Sequence, residues 1–146
     1  MTRRAQQRSA LAAARALAQW LGDEARLEPV DVPLALQPAE HCFGTCPVRV
    51  EQWLPSTYPG APPVLQWRTI DAGQLYLTDH RFAVAGRSWV DIWFGQIRLS
   101  ECDPEAVLLH VAGTAPLRLV TEPAPYWFVM FRWLAYRELV QPPPLD

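Results

Sequence analysis

The chain has 146 residues, 50% of them hydrophobic and 19% charged, with a formal net charge of −2. That composition describes one globular domain and fits poorly with a disordered chain, a collagenous chain or a tandem multidomain protein. All thirteen basic residues are arginine, which removes Schiff-base, P-loop and general-base lysine chemistry, and the acidic balance removes any whole-molecule attraction to nucleic acid.

Residues 10–21 are rich in alanine, leucine and arginine and predict a helix, with Gly22-Asp23 as its stop. Ala10, Ala13, Ala14, Leu17, Trp20 and Leu21 share one face, and Arg4, Arg8, Arg15 and Gln19 the opposite one. Residues 1–25 are therefore taken as an amphipathic helical segment. Residues 26–40, with Pro29, Pro33 and Pro38 and no clear period, predict a linker along the surface.

Short β-like runs follow. Cys42, Cys46, Val48 and Val50 alternate with Phe43, Thr45, Arg49 and Glu51 and predict a first strand ending near Leu54. A proline-rich loop occupies 55–63, where Pro55, Pro59, Pro62 and Pro63 cannot sit in a central strand. Further strands are predicted over 64–69, 74–78, 82–85, 88–93, 106–111 and 117–121, with Asp71-Ala72-Gly73 and Asp79-His80 as hairpin turns. Seven strands with hairpin-length connections argue for an antiparallel sandwich or barrel. Thr121-Glu122-Pro123-Ala124-Pro125 then opens a helix over 126–140, closed before a proline-rich tail at 141–146.

Three stretches of this text carry a family likeness: Leu36-Gln37-Pro38-Ala39-Glu40, the hairpin from Gly73 through Leu77-Thr78-Asp79-His80-Arg81 to Val84, and Val90-Asp91-Ile92 with Gln96-Ile97. Over about residues 36–140 the chain resembles bacterial pleckstrin-homology-like, or GRAM-like, domains. The resemblance implies a mainly β fold with α: a seven-stranded antiparallel sandwich or barrel over 41–140, capped by a C-terminal helix, with the N-terminal helix as an addition. It implies a non-catalytic binding platform and no cofactor. Fold alone does not choose a ligand. The loop at 52–63 carries no basic residue, so the phosphate contacts of phosphoinositide-binding relatives are not carried over.

Of the chemistry-bearing residues, His41, Cys42, Cys46 and Cys102 suggest zinc, but the second close pair of ligands is missing. On an extended strand Cys42 and Cys46 stand about 13 Å apart, too far for a disulfide. They read as buried thiols of a protein in a reducing, cytoplasmic setting. Residues 1–15 lack the apolar core of a signal peptide, and no apolar run reaches the roughly 18 residues of a membrane span. His80 and His110 are expected at the surface, and Asp103 and Glu105 in a turn. No nucleophile elbow, His-Glu-x-x-His or phosphate-binding glycine loop occurs, so neither a catalytic residue nor a small-molecule substrate is assigned.

Seven tryptophans are more than one small core needs. Trp89 and Trp93 alternate with Val90 and Ile92, which places them on an outer face beside Asp91. Trp53, Tyr58 and Trp67 add further aromatic candidates. On the last helix, Phe128, Val129, Ala135, Tyr136, Leu139 and Val140 form the expected core face. Trp127, Met130 and Leu134 fall on the far side, to be covered by the first helix, a partner or a second copy. The leading expectation is a module that binds another protein or itself through Trp53, Tyr58, Trp89, Trp93 and Trp127. The alternatives are a peripheral membrane module using Arg4, Arg8 and Arg15 against anionic lipid, and an enzyme or metal protein.

Overall fold

The computed structural model describes residues 2–23, 26–56 and 58–140; the tail expected at 141–146 lies outside them. The elements run α1 (Arg3–Gly22), β1 (Cys42–Ser56), β2 (Val64–Thr78), β3 (Arg81–Ala85), β4 (Trp89–Trp93), a 3-10 turn (Phe94–Gln96), β5 (Ile97–Cys102), β6 (Ala106–Val111), β7 (Leu117–Val120) and α2 (Ala124–Tyr136). All strands belong to one antiparallel sheet in the order β4-β3-β2-β1-β7-β6-β5. Among the described residues no pairing joins β4 to β5, so the sheet has two edges and is not closed into a barrel.

The strand count agrees with expectation, but two boundaries do not. Residues 64–69 and 74–78 are halves of a single strand, and Asp71-Ala72-Gly73 is not a turn. Here the turn-forming residues do other work. The Asp71 carboxylate accepts from the backbone N–H of Ala72 (2.8 Å) and Arg87 (3.0 Å). At Gly73 the Ala85 carbonyl approaches so closely that a Cβ would collide with it. A register shift on β1 skips Ile70, a β-bulge that bends β2 at this point. The missed strand is β5, whose burial alternates too weakly to betray a period: only Ile97 and Ser100 are buried.

α1 begins seven residues before the expected start, because the Thr2 hydroxyl caps it by accepting from Ala5 N–H at 3.1 Å. Its buried stripe is Ala10, Ala14, Leu17, Ala18 and Leu21; Trp20 stays exposed. The small residues let α1 lie close against α2, which is sandwiched between α1 and the sheet. On the sheet side of α2, Phe131 is fully buried against Phe82 (ring centroids 4.9 Å) and Phe94 (5.3 Å).

α2 stops at Tyr136, not Val140, because Arg137 adopts the left-handed conformation (φ 53°, ψ 34°) and its N–H caps the carbonyls of Arg132 and Trp133. The expected core face is also rotated. Val129, Phe131, Trp127, Met130 and Leu134 are buried, whereas Tyr136 and Leu139 are exposed. The first helix covers the second side of α2, one of the three covers expected for it.

Candidate docking surface

The residues that resembled a family signature meet in space. Arg81, at the start of β3, grips the buried Glu40 with two bonds, Nε to Oε2 at 2.9 Å and Nη2 to Oε1 at 3.1 Å. Its Nη1 donates to Asp91 Oδ1 on β4 at 2.7 Å, and its Nη2 also reaches the Ala35 carbonyl at 3.0 Å. Thr78 Oγ1 donates to Glu40 Oε2 at 2.7 Å, and Gln37 N–H to Glu40 Oε1 at 2.9 Å. Burial would raise the Glu40 carboxyl, but the Arg81, Gln37 and Thr78 hydrogen bonds outweigh it and hold the group below its ordinary 4.5. This assembly pins the segment before β1 to the β2–β3 hairpin. The sequence placed Glu40, Arg81 and Asp91 in three separate stretches without revealing their pairing.

The Trp93 ring lies under Arg81, with the guanidinium carbon 4.7 Å from the ring centroid. Trp89 Nε1 donates to the same Asp91 oxygen at 2.8 Å. Ile92 faces the core, Trp93 is half-buried and Trp89 is 47% exposed. Of the pair expected on an outer face, Trp89 therefore offers contact area, and Trp93 is largely occupied by Arg81.

Trp127 does not belong to any exposed surface. It is only 6% exposed, and its indole lies so close to Gly44 on β1 that a Cβ there would collide with the ring. Buried there, Trp127 offers a partner no contact area, contrary to its expected place in the docking set.

Trp53, Tyr58 and Trp67 fall on another feature, the outer half of the β1–β2 hairpin. Beyond Gln52, where β7 pairing ends, residues 53–56 and 64–69 continue as a two-stranded ribbon. Trp53 and Trp67 are opposed in register and meet edge to face, centroids 5.2 Å apart. Tyr58 is 68%, Val64 62% and Leu65 54% exposed.

The two edges of this ribbon differ. On the β1 edge, Trp53 N–H is bonded to the Pro116 carbonyl at 3.0 Å, and Pro55 has no N–H to offer. On the β2 edge, β3 pairs only from Gln74 onward, so among the described residues no strand lies alongside 64–70. Because Trp53 turns its N–H toward Pro116, the Trp53/Trp67 pair is a non-hydrogen-bonded one, and Trp67 directs both its backbone groups outward. By the same alternation Leu65 and Thr69 direct theirs outward too. Six backbone donors and acceptors thus line an edge that carries no proline.

The arginines of α1 are exposed, but the apolar stripe that would enter a membrane is buried against α2. Arg3 pairs with Glu105, tying the start of the helix to the β5–β6 turn. That turn is itself organised by Asp103, which accepts from Glu105 and Ala106 N–H, both at 2.8 Å, and pairs with Arg118 at 3.1 Å. A groove of about 670 Å³ beside α1 is lined by Arg3, Ser9, Arg49, Glu105 and Glu122, among others. Both arginines there already face a carboxylate: Glu105 for Arg3 and Glu51 for Arg49.

The three cysteines are free. Cys42 and Cys46 face inward with Val48 and Val50. Burial pushes Cys46 up to about 11 and Cys102 to about 12, and it raises Cys42 as well. Among the described residues, no cluster of three histidine, cysteine or acidic side chains converges to hold a metal. No family model matches the chain, and no curated protein matches it.

Proposed function

We propose that the chain is a non-catalytic protein-binding module of pleckstrin-homology-like architecture that docks an extended segment along the open edge of β2. The architectural part is supported by the strand order: a four-stranded meander, a three-stranded meander joined to it through β1 and β7, and a C-terminal helix packed against β5 and β6. Three free thiols suit the reducing, cytoplasmic setting that goes with this reading.

The observation that carries the function is the asymmetry of the β1–β2 ribbon. One edge is blunted by Pro55 and capped by Pro116, while the other leaves Leu65, Trp67 and Thr69 with outward backbone groups beside exposed apolar side chains. An unblunted edge strand is a template for strand addition. Affinity capture on immobilised wild-type chain and on Leu65→Pro tests it, with Trp89→Ser as the control for the other aromatic surface. The reading expects a species retained by wild type and by Trp89→Ser but lost by Leu65→Pro at unchanged melting temperature. If no retained species distinguishes Leu65→Pro from wild type, the ribbon is not the docking element.

A further inference from the structure

The open edge of β2 is complementary to itself, and we infer that its occupant is a second copy of this chain, paired antiparallel about a two-fold axis at Trp67. The inference rests on the docking-edge reading above and names the partner.

A two-fold axis perpendicular to two antiparallel strands requires one residue to face its own copy, and the outward groups belong to Leu65, Trp67 and Thr69. Placing the axis at Trp67 is the register that uses all three. Trp67 then exchanges two hydrogen bonds with its copy, and Leu65 exchanges two with Thr69 of the second copy at each end.

The side chains agree with that register. Arg68 comes opposite Gln66 of the second copy, so no like charges meet. A shift of the axis to residue 68 would set the two Arg68 guanidinium groups against each other. The exposed Val64 comes level with the exposed Ile70 of the second copy. The Trp53–Trp67 contact continues into a row of four indoles across the axis.

Sedimentation equilibrium of the full chain tests this, run from about 1 to 500 µM, the range of a small, reversible interface. Wild type is expected to move from 16.5 kDa toward twice that mass. Gln66→Glu, which sets a carboxylate against Arg68 of the other copy twice over, should tighten the dimer roughly threefold to tenfold, and Gln66→Arg should weaken it by a similar factor. Leu65→Pro should leave a monomer. Gln66 is exposed, so its variants do not depend on whether the proline variant folds. A wild-type chain that stays at 16.5 kDa throughout overturns the self-pairing, as does a dimer indifferent to both Gln66 changes. In the first case, Leu65→Pro-sensitive capture of another protein would leave the docking edge standing with a different occupant. A monomer without such capture removes both.

Discussion

Arg81 holds Glu40 in two parallel hydrogen bonds of 2.9 and 3.1 Å across 41 residues of chain, both side chains almost fully buried. A guanidinium–carboxylate fork of this kind fixes geometry as well as charge. It also accounts for how an irregular proline-rich segment is held against a sheet it does not join: the segment ends at Glu40, and Glu40 is anchored from β3.

Removing Arg81 leaves the Glu40 charge buried and without an opposite charge. Arg81→Met is expected to destabilise the domain by about 3–5 kcal/mol. For a chain of this size that lowers the melting temperature by roughly 10–15 °C, measurable by calorimetry. A loss under 1 kcal/mol would show that the fork does not anchor the segment.

The same pair sets an acid limb. The folded Glu40 carboxyl titrates below 4.5, so its contribution to stability is present in full above that value. It fades as the pH falls through the depressed folded value. Denaturant midpoints measured from neutrality downward should therefore fall less steeply for Glu40→Gln than for wild type. Parallel limbs would mean that other carboxylates govern acid unfolding.

Gly44 lies where the Trp127 ring leaves no room for a methyl group. Gly44→Ala should destabilise by about 1–3 kcal/mol. Contracting the ring with Trp127→Phe should recover part of that loss in the double variant, giving a coupling energy above about 0.5 kcal/mol. Additive losses would place the two residues out of contact.

The thiols give a kinetic prediction. With Cys42 and Cys46 buried, and Cys46 and Cys102 raised to about 11 and 12, almost no thiolate exists at neutral pH. A thiol-reactive chromogenic disulfide should label Cys42 and Cys46 only at the rate of global unfolding. Rapid labelling of either would contradict its placement.

What the sequence disclosed follows from which residues speak locally. The inward set Cys42, Cys46, Val48 and Val50 was legible because one face of β1 is buried and the other polar. The apolar stripe of α1 was legible for the same reason. β5 was silent because only two of its six residues are buried, so the period of two never emerges. Asp71 and Gly73 misled because turn-forming residues also serve where another strand comes close. At the site, aromatic excess pointed to Trp53, Tyr58 and Trp89, but the same excess named Trp127, whose burial depends on how α2 meets β1. The open edge itself left no mark in composition. It is a matter of which backbone groups remain after every strand has found its neighbours, and only the register of Trp53 and Pro116 reveals it.

Residue-resolved amide exchange across 64–69 tests that edge most directly. In dilute solution the N–H groups of Leu65, Trp67 and Thr69 should exchange quickly, while those of Gln66 and Arg68, paired with Leu54 and Gln52 of β1, remain protected. At high concentration the three fast amides should become protected together. Protection of all five at every dilution would mean that the edge is already covered within one chain, and the docking account would fail.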